Sequence, residues 1–421
     1  MAQISPQSTQ SLKEIIDSCV SKPNGVPGLV CSVINRDGNR VFEYAAGKRA
    51  LGSSDPMTVD SVFWIASCTK LVTTIAAMQL VEQERLALDD GDEVEKYLPE
   101  LKDIKVLVET ADGTLELHEK KRKITLRMLL SHTAGFGYSF SNAKLKKWSE
   151  PIGINEITSE EYDIFGQPLI AQPGEQWEYG VNIDWVGRLI ERVTSVSLGE
   201  YFQEHIFAPL GLSRISFLPS AEMKKNLAGL HQRASNGKME LHDGGHVLHR
   251  PLVVSGPEAA KGIVNAGGHG LFCAIPEYSE IISTLLNYGI HPKTKAQVLK
   301  KETVAEMLKN QIPQFPDFGR NGGLPAKPSI TNPEPELYAQ INDPPQGWGL
   351  SFFLQLHPEP PTRAVGSVFW TGVANLIWWA DFENGIGGIF ASQILPYNDP
   401  DFFPCHKEWE RVLYSSLIRP N

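Results

Sequence analysis

Ser67-Cys68-Thr69-Lys70 places a hydroxyl and an amine three positions apart, directly after the apolar run Val62-Phe63-Trp64-Ile65-Ala66. Serine is a weak nucleophile until a neighbour takes its proton, and a lysine can do so only when burial or nearby positive charge lowers its pKa. If the segment opens a helix, the two side chains share a face about one turn apart, and the helix N-terminus favours the negative charge that builds during attack. Spacing alone leaves another role open, in which Ser67 is an ordinary N-cap and Lys70 lies on the helix surface. Chance produces such spacings, and Ser141-Asn142-Ala143-Lys144 is one of them.

Two further segments bear on that choice. Gln172-Pro173-Gly174-Glu175-Gln176-Trp177-Glu178-Tyr179-Gly180 ends on a tyrosine just before a helical stretch, where the phenol either reaches a shared cleft or packs into the core. Phe369-Trp370-Thr371-Gly372-Val373 precedes an apolar run and offers Gly372 where a substrate must approach the backbone closely. His132 sits in a helix-ending turn and reads as a hydrogen-bonded structural residue. His269, within Gly267-Gly268-His269-Gly270, is open between structural and substrate-facing roles. Trp348, Trp378 and Trp379 read as sheet and core residues. The chain carries no Gly-x-Ser-x-Gly elbow, no His-Glu-x-x-His, and no complete dinucleotide fingerprint or phosphate loop. A Ser-His-Asp hydrolase, a metal and a cofactor therefore have no case in the sequence.

The elements that must position these residues are readable from periodicity and turn residues. A helix is expected around Leu12 to Cys19, then a hairpin of Gly28 to Ile34 and Arg40 to Ala46 about Asn35-Arg36-Asp37-Gly38-Asn39. From Ser67 to about Glu84 the pattern is helical, with Leu71, Ile75, Met78 and Val81 on or near one face. Further helices are predicted at Thr125 to Leu130, Asn182 to Val193, Leu198 to Ile206, Pro276 to Leu286 and His406 to Leu417. Short strands are predicted at Gly349 to Leu354, Ala364 to Phe369, Leu376 to Ala380 and Ile386 to Ser392. Strands at both ends imply one sheet, so the expected fold is α/β. Residues 1–66 and 265–421 would form a discontinuous sheet lobe, and residues 67–264 a mostly helical insertion, with the active site between them. The proline-rich stretch Gln311 to Gln346 reads as a long loop and a candidate lid.

Composition narrows the function classes. The 421 residues suffice for two lobes, and 42% hydrophobic with 21% charged residues excludes wholesale disorder. A net charge of −10 opposes nucleic-acid binding, and the one dense basic run, Glu119-Lys120-Lys121-Arg122-Lys123, reads as a solvated surface turn. No segment has the length and apolarity of a membrane span, and Met1-Ala2-Gln3-Ile4-Ser5-Pro6 lacks the marks of a secretory signal. Five scattered cysteines, Cys19, Cys31, Cys68, Cys273 and Cys405, suit free thiols, which makes a soluble cytoplasmic protein the expectation.

Taken in order, Ser-x-x-Lys, the tyrosine segment and the glycine-containing edge segment resemble the serine β-lactamase and penicillin-binding-protein superfamily. Within it the chain resembles the class C β-lactamase-like (family VIII-type) esterases, and above all the fungal lovastatin-type acyltransferases. The likeness extends over nearly the whole chain, through Leu88-Asp89-Asp90, Tyr97-Leu98-Pro99-Glu100-Leu101, Ile124 to Gly135, Ala208-Pro209-Leu210-Gly211-Leu212, Gly267 to Phe272 and Pro396-Tyr397-Asn398-Asp399-Pro400.

The resemblance implies a β-lactamase-like fold, an antiparallel sheet flanked by helices with an inserted helical lobe. It implies an acyl-enzyme on Ser67, Lys70 as its activator, Tyr179 as proton relay, and an oxyanion hole of the Ser67 and Val373 backbone N–H groups. Tyr138, His269, Trp370 and Gly372 become substrate-binding candidates. The implied reaction moves an acyl group from a thioester or ester donor to an alcohol of a secondary metabolite, without metal or cofactor. Ester or lactone hydrolysis by the same residues is the alternative, and an acyl carrier domain of a polyketide synthase is a candidate partner. Two departures separate the chain from β-lactamases. Asn182 stands three rather than two residues after Tyr179, and Trp370 replaces the lysine of Lys-Thr-Gly, which removes a cation an indole cannot replace. A silent binding protein of the same fold is opposed by the intact Ser67, Lys70 and Tyr179.

Overall fold

The computed structural model describes residues 3–256, 258–320, 325–333, 344–359 and 361–418. Its main sheet has seven strands, in the order Gly347–Trp348, Phe353–Leu354, Val368–Gly372, Leu376–Asp381, Ile386–Ala391, Gly28–Asn35 and Arg40–Gly47. Every pairing is antiparallel. The two ends of the chain meet where Val30 faces Ala391 and Asn35 faces Ile386, so the amino-terminal hairpin completes a sheet begun by the carboxy-terminal strands.

Side chains alternate across such strands, and the strand Leu376–Asp381 shows how this builds two cores. Leu376, Trp378 and Ala380 join the main core, while Ile377 and Trp379 point to the opposite face. That opposite face is covered by the helices Pro6–Ser21 and Phe402–Ser415, through Leu12, Ile16, Trp409 and Leu413. The first of these begins at Ser5, which accepts from the Ser8 N–H at 3.1 Å, with Pro6 at the position that needs no donor. The helix Ile275–Leu286 packs on the inner face of the sheet and helps to join it to the helical region.

Two small sheets tie the inserted stretch to the rest. Ile215–Ser216 and Val62–Trp64 both pair with Phe272–Ala274, and His231–Arg233 lies between Ile394–Leu395 and Met239–Leu241.

Several predicted elements shift. The expected strand Gly349 to Leu354 is instead a tight hairpin of two short strands, because Ser351 takes a left-handed φ of 71°. The expected strand Ala364 to Phe369 begins at Val368 and runs on through Gly372, paired along its length with Leu376–Asp381. The helix from Leu198 is α-helical only to Phe202 and widens into a π-type turn over Gln203–Phe207. The basic run is not wholly solvated: Lys120 reaches Glu95 at 2.7 Å with both side chains less than a tenth exposed, and Glu119 ends an unpredicted hairpin, Lys105–Glu109 with Leu115–Glu119. Within the proline-rich stretch, Ile312 and Phe318 pack on Trp348, and residues 325–333 run beside Phe140, whose carbonyl accepts from the Ala326 and Lys327 N–H groups. Residues 321–324 and 334–343, on which the lid expectation also depends, lie outside the described residues.

Candidate active site

Ser67 lies on a single 3-10 turn, Ala66–Cys68, that leads into the helix Thr69–Glu82. Ala66 has φ of 45°, a left-handed conformation unusual for alanine, immediately before the serine. Every residue from Thr69 to Leu80 is buried, so the expected helix is a central column buried on all sides. Lys70 is therefore fully buried, while Ser67 keeps 8% of its surface exposed.

The Lys70 amine has three near partners: Ser67 Oγ at 3.1 Å, Tyr138 Oη at 3.2 Å and the Gly268 carbonyl at 2.9 Å. Burial draws its pKa from the ordinary lysine value down to about 7, against the opposing pull of Asp184 and Cys68. A neutral amine has two N–H bonds and one lone pair. The Gly268 carbonyl can only accept and the Tyr138 oxygen can accept, so the lone pair is left for the Ser67 proton. The surface-lysine role for Lys70 is thus excluded, whereas Ser141-Asn142-Ala143-Lys144 is the accident its spacing suggests: Asn142 caps a helix, and Lys144 is spent on the Leu107 and Ile170 carbonyls.

Tyr179 stands just ahead of the helix Asn182–Thr194, its ring 4.7 Å from the Lys70 amine, and Tyr138 presents its ring at 5.4 Å. The two phenols meet edge to face at 5.2 Å. Burial pushes both well above the ordinary tyrosine value, so both stay protonated near neutrality. The Trp370 indole N–H donates to Tyr179 Oη at 3.0 Å. With one oxygen lone pair held by that donor, the phenol proton is left to point elsewhere. The sequence nominates Trp370 as a substrate-binding candidate but gives no sign of this bond, which joins residues 191 positions apart.

Gly372 ends the strand that lies against the serine turn: a methyl added there would come within 3.0 Å of the Ile65 carbonyl and 3.4 Å of the Ala66 side chain. Val373 follows it in the turn before Leu376.

His132 is fully buried, and Gly180 N–H and Asn182 Nδ2 approach its Nδ1 at 3.4 and 2.9 Å. Two donors on one nitrogen fix that nitrogen as the acceptor. Burial lowers its pKa well below the ordinary value, so the ring stays neutral and holds the Tyr179 segment, with ring centroids 4.9 Å apart. This bond also explains Asn182: displaced by Val181, its amide serves His132 and the Phe136 carbonyl. His269 is 4% exposed, with Nε2 on the Thr158 carbonyl at 2.9 Å and Nδ1 facing Asp184 at 3.5 Å. Beside Tyr179, Trp177, Trp348, Phe318 and Trp370 pack as an aromatic cluster, Trp348 and Trp370 at 4.6 Å edge to face. Among the described residues no cluster of His, Cys, Asp and Glu could hold a metal ion, and no helix is long and apolar enough to cross a membrane.

An antiparallel sheet flanked by helices, with a buried Ser-x-x-Lys pair facing a tyrosine, defines a serine acyl-transfer enzyme of the β-lactamase-like class. The beta-lactamase family model matches residues 16–404, and the chain belongs to that family. It is 31% identical to the lovastatin esterase of Penicillium rubens over 88% of this chain and 90% of that protein. It is 28% identical to the monacolin J acid methylbutanoyltransferase of Aspergillus terreus over 94% and 93%. The LovD6 mutant of simvastatin synthase (LovD) from Aspergillus terreus superposes with a TM-score of 0.78 at 27% identity, covering 98% of each chain. The protein is a serine acyltransferase or esterase with a β-lactamase-like fold.

Proposed function

We propose that this enzyme transfers an acyl group from a small thioester or ester donor, through an acyl-enzyme on Ser67, to an alcohol of a secondary metabolite. The observation that carries the reading is the wholly buried Lys70 amine, 3.1 Å from Ser67 Oγ and drawn down to about 7. Lys70 takes the hydroxyl proton as Oγ attacks the acyl carbonyl. The backbone N–H groups of Ser67 and Val373 hold the resulting oxyanion. On collapse the proton passes by way of Tyr179 to the leaving thiolate or alkoxide, and the acyl group remains on Oγ. The acceptor alcohol repeats the sequence in reverse, giving its proton back to Ser67. Trp370 and Gly372 border the substrate, and Tyr138 fixes the Lys70 amine.

The names of two relatives, a methylbutanoyltransferase and a lovastatin esterase, support an acyl-transferring or ester-cleaving reaction. Hydrolysis is the second reading, favoured by the 31% identity to the esterase. Water and alcohol compete for one acyl-enzyme, and whichever reaches it first decides between hydrolysis and transfer. The missing cation at Trp370 argues against β-lactams as substrates. The division into a sheet lobe (1–66 and 265–421) and a helical lobe (67–264), an acyl carrier domain as donor partner, and a cytoplasmic location belong to the same proposal.

Intact-protein mass spectrometry after mixing with a short acyl thioester tests it. The wild type is expected to gain one acyl mass that disappears when a polyketide alcohol is added, with acylated alcohol recovered, and Ser67→Ala is expected to gain none. Decay to free acid whatever the alcohol would make the protein an esterase for those compounds. An adduct on Ser67→Ala would remove Ser67 from the mechanism.

A further inference from the structure

Asp184 is a carboxylate in the otherwise apolar run Ile183-Asp184-Trp185-Val186, and its side chain is wholly buried. Its Oδ1 accepts the Gly268 N–H at 2.8 Å. Its Oδ2 is buried and has no hydrogen-bond partner among the described residues. That oxygen lies so close to the Gly268 Cα that a methyl there would come within 2.3 Å of it, which is why no side chain fits at position 268. The same residue's carbonyl is the one 2.9 Å from the Lys70 amine. The segment is pinned on both sides, by Thr73 Oγ1 on the Gly267 carbonyl at 2.6 Å and by the Trp64 indole on the His269 carbonyl at 2.6 Å.

We propose that Asp184 is a positioning residue for Lys70, holding the Gly268 carbonyl against the amine and setting, through its buried carboxylate, the pH at which the amine can take the Ser67 proton. The proposal rests on reading Lys70 as the base. The groups that face Lys70 are Ser67 and the Cys68 thiol on its own turn, and the phenols of Tyr138 and Tyr179. His132 and Asp184 bear on it electrostatically, and His269 adjoins Asp184. Of these, Asp184 is the buried carboxylate, and it favours the protonated form of Lys70 against the larger effect of burial. It acts in the same sense on Tyr138 and Tyr179. A carbonyl on the amine likewise favours the ammonium form. Removing either influence should therefore lower the pH at which the amine becomes free, while loosening its aim.

The test is the pH profile of the second-order rate of acylation by p-nitrophenyl acetate, from roughly pH 5 to 9, the span in which such a base titrates. Wild type, Asp184→Asn and Lys70→Met are compared. Asp184→Asn is expected to shift the rising limb down by at least about half a pH unit and to lower its plateau. A lowered plateau with an unmoved limb would mean that Asp184 only supports the fold, and the proposal falls. If Lys70→Met retains the wild-type limb, the base reading fails on its own account, whatever Asp184 does. Should Asp184→Asn not fold, Gly268→Ala decides: a downward shift with a rate at least tenfold lower supports the relay, and a wild-type rate or an unmoved limb overturns it.

Discussion

Two effects compete at Lys70. Burial strips water from the ammonium and favours the neutral amine, while Asp184 favours the charge; burial wins, leaving the group near neutrality at about 7. The group acts as a base only when unprotonated, so acylation by a neutral ester is expected to fall about tenfold per pH unit below about 7 and to level off above it. Initial rates across that window check this, and a flat profile would sink Lys70 as the base. Ser67 and Lys70 were legible as a pair from residue type and helical spacing, but only the resemblance to a known family set them, with Tyr179, above the N-cap and core-packing alternatives. Asp184 was legible only in retrospect, as a lone carboxylate in an apolar run. Trp370 was nominated as a substrate-binding candidate, but its bond to Tyr179 was not legible, since the partner of its indole N–H depends on how two distant segments close on one another.

Positioning is the business of the elements. The strand Val368–Gly372 and the serine turn touch through Gly372, where an added methyl would come within 3.0 Å of the Ile65 carbonyl, a backbone atom that cannot swing away. Gly372→Ala is expected to leave the fold intact and to shift the strand by a few tenths of an ångström. Because misplacement on the ångström scale costs roughly 100-fold in rate, acylation should drop by about tenfold or more. Serine-probe labelling against a circular dichroism control reads this, and full-rate labelling would show that the contact is not needed. The longer helices and most strands of the main sheet could be placed from periodicity and turn residues, and Thr125, whose hydroxyl accepts from the Met128 N–H at 3.2 Å, opens one of the helices placed. Short helices such as Gly91–Tyr97 and Ala143–Ser149 were not foreseen. The hairpin at Gly349 to Phe352 could not be placed, because its reversal rests on a non-glycine residue, Ser351, in a left-handed conformation. The helix Thr69–Glu82 was placed by its periodicity, while its burial on every side was not, because the internal partners of Thr73, Thr74 and Gln79 come from distant segments.

At the scale of the whole molecule, Trp409 clasps the sheet from its outer face. Its ring lies 5.7 Å from Phe42 of the amino-terminal hairpin and 5.3 and 6.0 Å from Phe390 and Trp379 of the carboxy-terminal strands. Trp409→Ala empties a fully buried site and should destabilise the protein by about 3–5 kcal/mol. Urea unfolding followed by circular dichroism measures this, and a loss below about 1 kcal/mol would mean that the two ends of the chain are held by something else. That one sheet draws on both ends was legible from the strands at each terminus. The order of its strands was not, because register is a property of pairs.

The junction of Val30 with Ala391 spans 391 − 30 = 361 positions of sequence. A ribosome adding roughly 5–20 residues per second needs about 20 to 70 seconds to make that interval. Throughout that time the nascent strand Gly28–Asn35, buried on every residue in the finished protein, has one edge without its partner. An unpaired apolar edge is a template for pairing with other chains. Slower translation lengthens the time for which that edge stands open to other chains.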